Sequence, residues 1–128
     1  MSHLLDTHAL LWFVAGSKSL GKTTRSLIER NPAVYYSPIS IAELRLKDAK
    51  GRLQLPNDLP QLIEAQGIPP LDYQVAHADE ISRFGSLVNH DPFDRMILAQ
   101  ASATGLKLIT ADSRLLSLGF SWVINARK

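Results

Sequence analysis

Four acidic residues lie where an apolar, strand-like segment gives way to a helical pattern, and this placement constrains the fold more than any other feature. They are Asp6, Glu43, Asp94 and Asp112. The carboxyl ends of parallel strands open on one edge of a sheet, so these carboxylates would converge in one pocket. Two unit charges about 4 Å apart repel by roughly 4 kcal/mol near a protein surface, so the cluster requires a counter-charge. Oxygen ligands without a nearby Cys point to a hard divalent cation, Mg²⁺ or Mn²⁺.

The composition is that of an ordinary globular protein, and we expect one domain over residues 1–128. A chain of 128 residues buries about two-thirds of its unfolded surface without a disulfide or metal staple. Cysteine is absent, which excludes disulfides and thiolate zinc sites. No apolar run reaches the about 18 residues of a membrane span. Asp6 and His8 interrupt the N-terminal apolar run, which also lacks a basic start, so we expect no signal peptide and a cytoplasmic location.

Short apolar strands alternate with helical patterns, which predicts an α/β fold with a parallel sheet between two helical layers. We expect five strands, at residues 4–5, 33–36, 68–71, 106–110 and 122–124. The third carries two prolines, which suit a sheet edge. Helices are expected from residue 7, at 22–30, from residue 40, and at 58–66, 72–87, 91–104 and 113–118.

Two of the acids have structural alternatives to a site role. Asp6 suits a helix N-cap, but Thr7 could do that job, so we favour a site role for Asp6. Glu43 ends the capping-box pattern Ser40-x-x-Glu43 and could also pair with Lys47 one turn later. Structure and function are equally good explanations of Glu43.

The later acids also occur at predicted helix starts. Asp91 is an expected N-cap before Pro92 at the first helical position, and Asp94 falls in the first turn, where the helix dipole favours a carboxylate. Two acids three residues apart are nevertheless more negative charge than capping needs. Asp112 could cap the helix at 113–118. Thr110 could orient a carboxylate or bond a metal-bound water, although a plain strand end is slightly preferred.

Basic residues accompany the acids in a chain whose formal net charge is +2. This balance is weak evidence for a nucleic-acid partner by itself. Arg95 and Arg114 each lie close in sequence to one of the acids, and four further basic residues crowd one segment: Arg45, Lys47, Lys50 and Arg52. Solvated surface charge explains most of them better than contact with a substrate.

The histidines nearest the acids are His8 and His90. Neither stands at metal-ligand spacing from another histidine, so we interpret both as peripheral hydrogen-bonding groups rather than metal ligands. Trp12 falls at core spacing and is interpreted as a core residue rather than a base-stacking platform.

Four segments, taken together, resemble the PIN domain. They are LLDTHALLW, the SxxE of residues 40–43, HDPFDRMILAQA and LITADSRL. SxxE alone is unspecific, but LLDTHALLW with DPFDR and the ITAD strand is highly specific. The likeness extends to about Trp122 and is greatest to the VapC-type toxins of bacterial toxin–antitoxin pairs. It implies a three-layer α/β/α fold with a five-stranded parallel sheet.

The resemblance also implies a site and an activity. The family's acidic quartet maps onto Asp6, Glu43, Asp94 and Asp112, with Asp91 as a frequent neighbour. The implied protein is a Mg²⁺- or Mn²⁺-dependent endoribonuclease in which Asp6, Asp94 and Asp112 hold the metal and a metal-activated water cleaves RNA. Supporting or substrate-binding roles fall to Thr7, Thr110, Asp91, Arg95 and Arg114. The implied partners are a VapB-type antitoxin and a second copy of the chain.

Two other functional classes also place acidic residues or this fold in such a sequence. One is a PIN-like module that has lost catalysis and only binds RNA or protein, and the intact quartet argues against it. The other is a phosphate-handling receiver or phosphatase domain, which would need further acids beside the first strand, where Thr7 and His8 stand. The tail Asn125-Ala126-Arg127 departs from the Asp-Ala-Arg-like ending of relatives and leaves the quartet unaffected.

Overall fold

A computed structural model describes residues 2–51 and 54–128, and within these ranges four strands form one parallel sheet. The strands are β1 (His3–Leu5), β2 (Val34–Tyr36), β3 (Lys107–Thr110) and β4 (Val123–Asn125). Their order is β2-β1-β3-β4, and every pairing is parallel. All four carboxyl ends therefore lie at the same edge. Arg52 lies outside the described residues.

Helices and one 3₁₀ segment connect the strands. They are α1 (Thr7–Ala15), α2 (Lys22–Arg30), α3 (Pro38–Ala49), α4 (Leu59–Ala65), α5 (Val75–Asp79), a 3₁₀ helix (Glu80–Leu87), α6 (Pro92–Thr104) and α7 (Ser113–Ser117). No helix in the described part of the chain is long and apolar enough to cross a lipid bilayer.

The core has two layers because the fully buried central strands point alternate residues to opposite faces. Leu5 and Ile109 pack on the side of α1, whereas Leu4 and Leu108 pack on the side of α6. All four are 0% exposed, and burying each such side chain contributes roughly 1.5–3 kcal/mol. The predicted α/β fold with helices on both faces is confirmed.

The predicted fifth strand at residues 68–71 is not a strand. Its only bridge within the described residues is the isolated parallel pair Tyr36–Pro70, supported by hydrogen bonds from the Tyr36 N–H to the Pro69 carbonyl and from the Leu71 N–H to the Tyr36 carbonyl. Proline has no N–H to donate, so two adjacent prolines leave too few donors for a continued ladder.

One predicted helix start and one candidate helix cap are also wrong. Helix α3 begins at Pro38 rather than Ser40, because the Ser37 hydroxyl accepts from the Ile39 N–H at 3.1 Å and acts as the N-cap. Helix α1 is capped by Asp6, not Thr7. Ser40 therefore lies inside α3, and the capping box with Glu43 does not form.

The predicted helix at 72–87 is interrupted. Helix α5 covers only Val75–Asp79, and the following 3₁₀ segment contains Phe84 at φ −107° and ψ 47°, which is not helical. Phe84 is buried in the core layer beside α6. Packing of this ring thus competes with a regular continuation of the helix.

Candidate active site

The four acids predicted from sequence converge at the carboxyl edge of the sheet. Asp6 follows β1, Asp112 follows β3, and Glu43 comes from the second turn of α3 after β2. Asp94 enters from the first turn of α6, which follows the 3₁₀ segment instead of a strand. Asp6, Glu43 and Asp94 are only 2%, 1% and 8% exposed, so three carboxylates are largely removed from water in one region.

Asp6 is fixed through both of its oxygens. Its Oδ1 accepts from the Ala9 N–H at 2.8 Å, which is the α1 cap. Its Oδ2 accepts from the Thr110 hydroxyl at 2.5 Å, and the Thr110 oxygen in turn accepts from the Asp112 N–H at 3.0 Å. Thr110 therefore joins the carboxyl ends of β1 and β3. Capping of α1 uses one oxygen of Asp6 and leaves the other for the contact with Thr110.

Glu43 is oriented by neighbours on two helices. The Thr7 hydroxyl donates to Oε1 at 2.7 Å and lies 2.9 Å from the Ser40 hydroxyl. Lys47 donates to Oε2 at 2.8 Å, which confirms the pairing expected one turn later on α3. A buried carboxylate with both oxygens partnered is held rigidly, as proton transfer to or from a defined point requires.

His90 lies between two of the acids. Its Nε2 is 2.9 Å from Asp112 Oδ2 and 3.6 Å from Asp94 Oδ2. The other oxygen of Asp112 accepts from the Arg114 and Leu115 N–H groups at 2.9 and 3.1 Å, which caps α7. Asp112 thus also combines capping with membership of the cluster.

The crowding of negative charge changes the acidity of the cluster. Burial, followed by the charges of Asp6, Asp91, Glu43 and Asp112, raises the pKa of Asp94 to about 8. Burial also raises the pKa of Asp6, against the hydrogen bond from Thr110. At Asp112 burial acts in the same direction, but the Leu115 N–H and His90 outweigh it, so the pKa of Asp112 is lowered. The pocket attracts a proton or a cation.

The donor set fits a metal ion. His90, Asp94 and Asp112 each offer a ligand atom, and these atoms lie within 4.8 Å of one another. Lys47 pairs with Glu43, but the only basic side chain paired with Asp94 among the described residues is His90, at 3.6 Å, and the neighbouring carboxylates help to raise the pKa of Asp94 to about 8. A divalent cation would supply the missing charge, and carboxylate oxygens are the ligands that hard cations prefer.

The remaining predicted residues are less central. Asp91 caps α6 by accepting from the Phe93 N–H at 2.8 Å, as expected, and adds to the negative field at Asp94. Arg114 is exposed and contacts Asp112 through its backbone N–H only, among the bonds of the described residues. The Arg95 Nε is buried without a hydrogen-bond partner in the same part of the chain. Among the described residues, neither arginine side chain forms an ion pair with the acids.

His90 lies closer to the acids than its sequence context predicts. It does form a hydrogen bond, as expected, but inside the cluster rather than at its periphery. The available signal was its position four residues before Asp94, a spacing that places two side chains on one helical face. That signal was weak, because His90 precedes the N-cap of α6 and lies outside the helix.

A cleft of about 340 Å³ opens beside Glu43 and Asp91. Lys47 and Lys50 lie on one wall, and Pro92 and Phe93 lie on the other. The cleft therefore brings two lysines of α3 next to Glu43 and Asp91.

A family model and a curated relative match most of the chain. A family model described as PIN domain matches residues 3–121. Ribonuclease VapC22 of Mycobacterium tuberculosis (strain ATCC 25618 / H37Rv) is 31% identical over 121 residues, which cover 89% of this chain and 89% of that protein.

Solved structures share the fold. A toxin-antitoxin complex from Klebsiella pneumoniae has a TM-score of 0.69 at 18% identity over 98% of both chains. VapBC2 from Rickettsia felis, bound to a DNA fragment from its promoter, has a TM-score of 0.68 at 16% identity over 97% of this chain and 96% of that one. FitAcB from Neisseria gonorrhoeae has a TM-score of 0.57 at 25% identity, over 87% and 88%.

Proposed function

The chain belongs to the PIN-domain family, and on that premise we propose that it is a Mg²⁺- or Mn²⁺-dependent endoribonuclease and the toxin of a toxin–antitoxin pair. The observation that carries the proposal is the convergence of Asp6, Glu43, Asp94 and Asp112 at one sheet edge, with three of the four buried. Burying unneutralised carboxylates is unfavourable unless they bind a cation. A relative named as a ribonuclease supplies the reaction class.

Asp6, Asp94 and Asp112 are the residues that would hold the ion, with His90 beside them. When bound, the ion would supply Lewis acidity toward water and toward phosphate oxygens. The protein prepares for it by fixing the carboxylates: Thr110 orients Asp6 at 2.5 Å, and His90 orients Asp112 at 2.9 Å. Such supporting hydrogen bonds tune ligand orientation and basicity.

Glu43 is the group best placed to orient the attacking water and to accept its proton. Thr7 and Lys47 hold its two oxygens, and it is 1% exposed. Attack of water on the phosphorus and departure of the ribose 3′ oxygen, which takes up a proton, would leave a 3′-hydroxyl and a 5′-phosphate. Lys47 and Lys50 line the adjoining cleft. Their positive charges would contact phosphates of the RNA backbone.

We also propose a VapB-type antitoxin as partner, a homodimer as the assembled form, and the cytoplasm as the place of action. The support is that the relative is a VapC protein and that two structures with the same fold are of toxin–antitoxin complexes. An arginine from the partner could occupy the acidic pocket with a bidentate hydrogen bond to two carboxylates.

Cleavage of RNA tests the reaction. The purified protein is incubated with total cellular RNA in Mg²⁺ or Mn²⁺, with EDTA as the metal-free arm. Asp6→Asn and Asp94→Asn keep the side-chain shape and remove the ligand charge, so each should reduce cleavage by at least 100-fold, an order of magnitude typical of lost catalytic groups (~10²–10⁴). Asp58→Asn is the matched control, because Asp58 is exposed and makes no side-chain cap.

Growth tests the toxin role. Expression of the chain alone should arrest growth, and co-expression of the neighbouring small gene product should restore it. Full cleavage by folded Asp6→Asn would contradict the nuclease assignment and favour a binding module. Harmless expression of both the wild type and Asp6→Asn would contradict the toxin role.

A further inference from the structure

The last residues of the chain bring a guanidinium to the edge that carries the acids. Strand β4 pairs with β3, with Asn125 opposite Thr110, and the Ala126 N–H donates to the Thr110 carbonyl at 2.8 Å. Beyond this pair, Arg127 Nη1 donates to the Ala111 carbonyl at 2.6 Å. The N–H of the same Ala111 is directed at the Asp6 carboxylate and favours its charged form. Arg127 and Asp6 thus contact the same residue, Ala111, through its carbonyl and its N–H respectively.

The Arg127 side chain has a defined position. Its guanidinium carbon lies 5.5 Å from the centroid of the Trp12 ring, which is a cation–π distance. Its backbone N–H donates to Asn125 Oδ1 at 2.9 Å. Trp12 projects from α1, the helix that Asp6 caps. The carbonyl of Ala111 and the indole therefore hold the guanidinium from two sides.

The backbone of the tail is fixed as well. The Gly21 N–H donates to the Ala126 carbonyl at 2.9 Å, and the Thr23 N–H donates to the Lys128 carbonyl at 3.0 Å. These bonds satisfy backbone donors at the start of α2. A Cβ at Gly21 would lie 2.1 Å from the Lys128 carbonyl carbon. Gly21 is therefore the residue that lets the tail approach α2, and the tail is an ordered part of the fold.

The geometry leaves most of the guanidinium available. Arginine has five N–H donors, and within the described part of the chain the Arg127 guanidinium uses Nη1 alone, at Ala111. The residue is exposed. A fork that is already stacked and oriented loses little conformational entropy when it binds a phosphate bidentately. Trp12 is partly buried and packs against the core, and the exposed His8 ring on the same helix lies 6.2 Å from it.

We propose that Arg127, held against the Trp12 ring, binds a backbone phosphate of the RNA and that the exposed His8 ring lines the path of the strand toward the acids. The proposal rests on the proposed ribonuclease function, because a strand whose reacting phosphate lies at Asp6 continues over the adjoining surface. Arg127 and Asp6 both contact the backbone of Ala111, so a phosphate bound by Arg127 would neighbour the one that reacts at Asp6. The exposed His8 ring suits an unpaired base, since every base can stack on an aromatic face.

RNA binding tests the proposal without cleavage. Asp94→Asn serves as the non-cleaving parent, and a fluorescent single-stranded RNA is titrated in Mg²⁺ buffer at several salt concentrations. Adding Arg127→Ala should weaken binding about tenfold and reduce the slope of log K against log[salt] by about 0.7, the loss of one phosphate contact on a single strand. Arg127→Lys keeps the charge without the fork and should weaken binding about threefold. Arg30→Ala removes an exposed arginine at the end of α2 and should change affinity less than twofold.

Equal RNA affinity and equal salt slope in the parent and the Arg127→Ala variant would overturn the proposal. Unchanged RNA affinity together with lost neutralisation by the antitoxin would assign the surface to the protein partner and overturn it equally. Thermal melts of both Arg127 variants confirm folding, and Arg127→Lys provides the comparison if Arg127→Ala unfolds. Cleavage of the same RNA by the wild type is measured separately. If the wild type cleaves and the Arg127 variants bind RNA as tightly as the parent, only this inference is refuted. If the wild type does not cleave, the proposed function is refuted.

Discussion

Replacing Asp94 by Asn should stabilise the metal-free protein at alkaline pH. Burial and four neighbouring acids raise the pKa of Asp94 from 3.8 to about 8 in the folded protein. In the unfolded chain the carboxyl is expected to titrate near its ordinary value, about 3.9. The folded state therefore binds the proton of Asp94 more tightly than the unfolded chain does. The protonated carboxyl contributes its full stabilisation below about pH 4, and this stabilisation is lost as the pH rises to about 8. Asparagine removes this dependence.

The magnitude follows from the size of the shift. A difference of about four pKa units corresponds to at most about 6 kcal/mol, since one unit is about 1.4 kcal/mol. Water in the adjoining cleft screens part of this, so we expect Asp94→Asn to gain about 2 kcal/mol at pH 8.5 and less than half of that at pH 5.5. The pKa of Asp112 is lowered, so Asp112 stays ionised across this range and does not contribute to the change.

Urea unfolding followed by tryptophan fluorescence, in EDTA at pH 5.5 and 8.5, measures the effect. Asp58→Asn is the control and should leave the free energy of unfolding unchanged at both values. Saturating Mg²⁺, at about 100 times its Kd, should add about 2.7 kcal/mol to the wild type and little to Asp94→Asn, which removes the advantage of the variant. A stability difference that is the same at both pH values, or a variant less stable than the wild type at pH 8.5, would refute the electrostatic reasoning.

Three further substitutions test how the site and tail are supported. Thr7→Val removes the hydroxyl that donates to Glu43 at 2.7 Å, so it should cost about 1–3 kcal/mol for the unsatisfied carboxylate and slow RNA cleavage, measured by urea unfolding and initial rates. His90→Gln should weaken Mn²⁺ binding by about 10-fold, as loss of an outer hydrogen bond typically does, measured by calorimetry; an unchanged affinity would show that His90 does not support the ligands. Gly21→Ala places a Cβ 2.1 Å from the Lys128 carbonyl carbon and should lower the melting temperature by several degrees, about 1–3 kcal/mol of overpacking; an unchanged melting temperature would show that the tail is not held against α2.

Local chemistry was sufficient to predict several elements. Asp91 before Pro92 and Gly105 after Thr104 bound α6 as the sequence predicted, with Gly105 in the left-handed conformation at φ 71°. These signals lie within a few residues of the boundary they set, so no distant contact is needed to interpret them.

Predictions failed where distant contacts compete with local preference. Ser40 matched a capping box, but Ser37 forms the cap, and Glu43 turns to Thr7 on another helix. The segment at 68–71, by contrast, failed for a local reason: its two prolines lack N–H donors, so among the described residues it makes a single bridge, to Tyr36.

The site divides in the same way. The sequence determined that Asp6, Glu43 and Asp112 meet at one sheet edge, because each comes after a strand and the alternation of strands and helices implies that the strands are parallel. Asp94 follows the 3₁₀ segment instead, and only the tertiary structure brings it to the same edge. Only the tertiary structure decided that His90 contacts Asp112, that the pKa of Asp94 rises to about 8, and that Arg127 reaches Ala111. Those properties depend on distances of a few ångströms between residues far apart in the chain, and such distances are set by packing of the whole core.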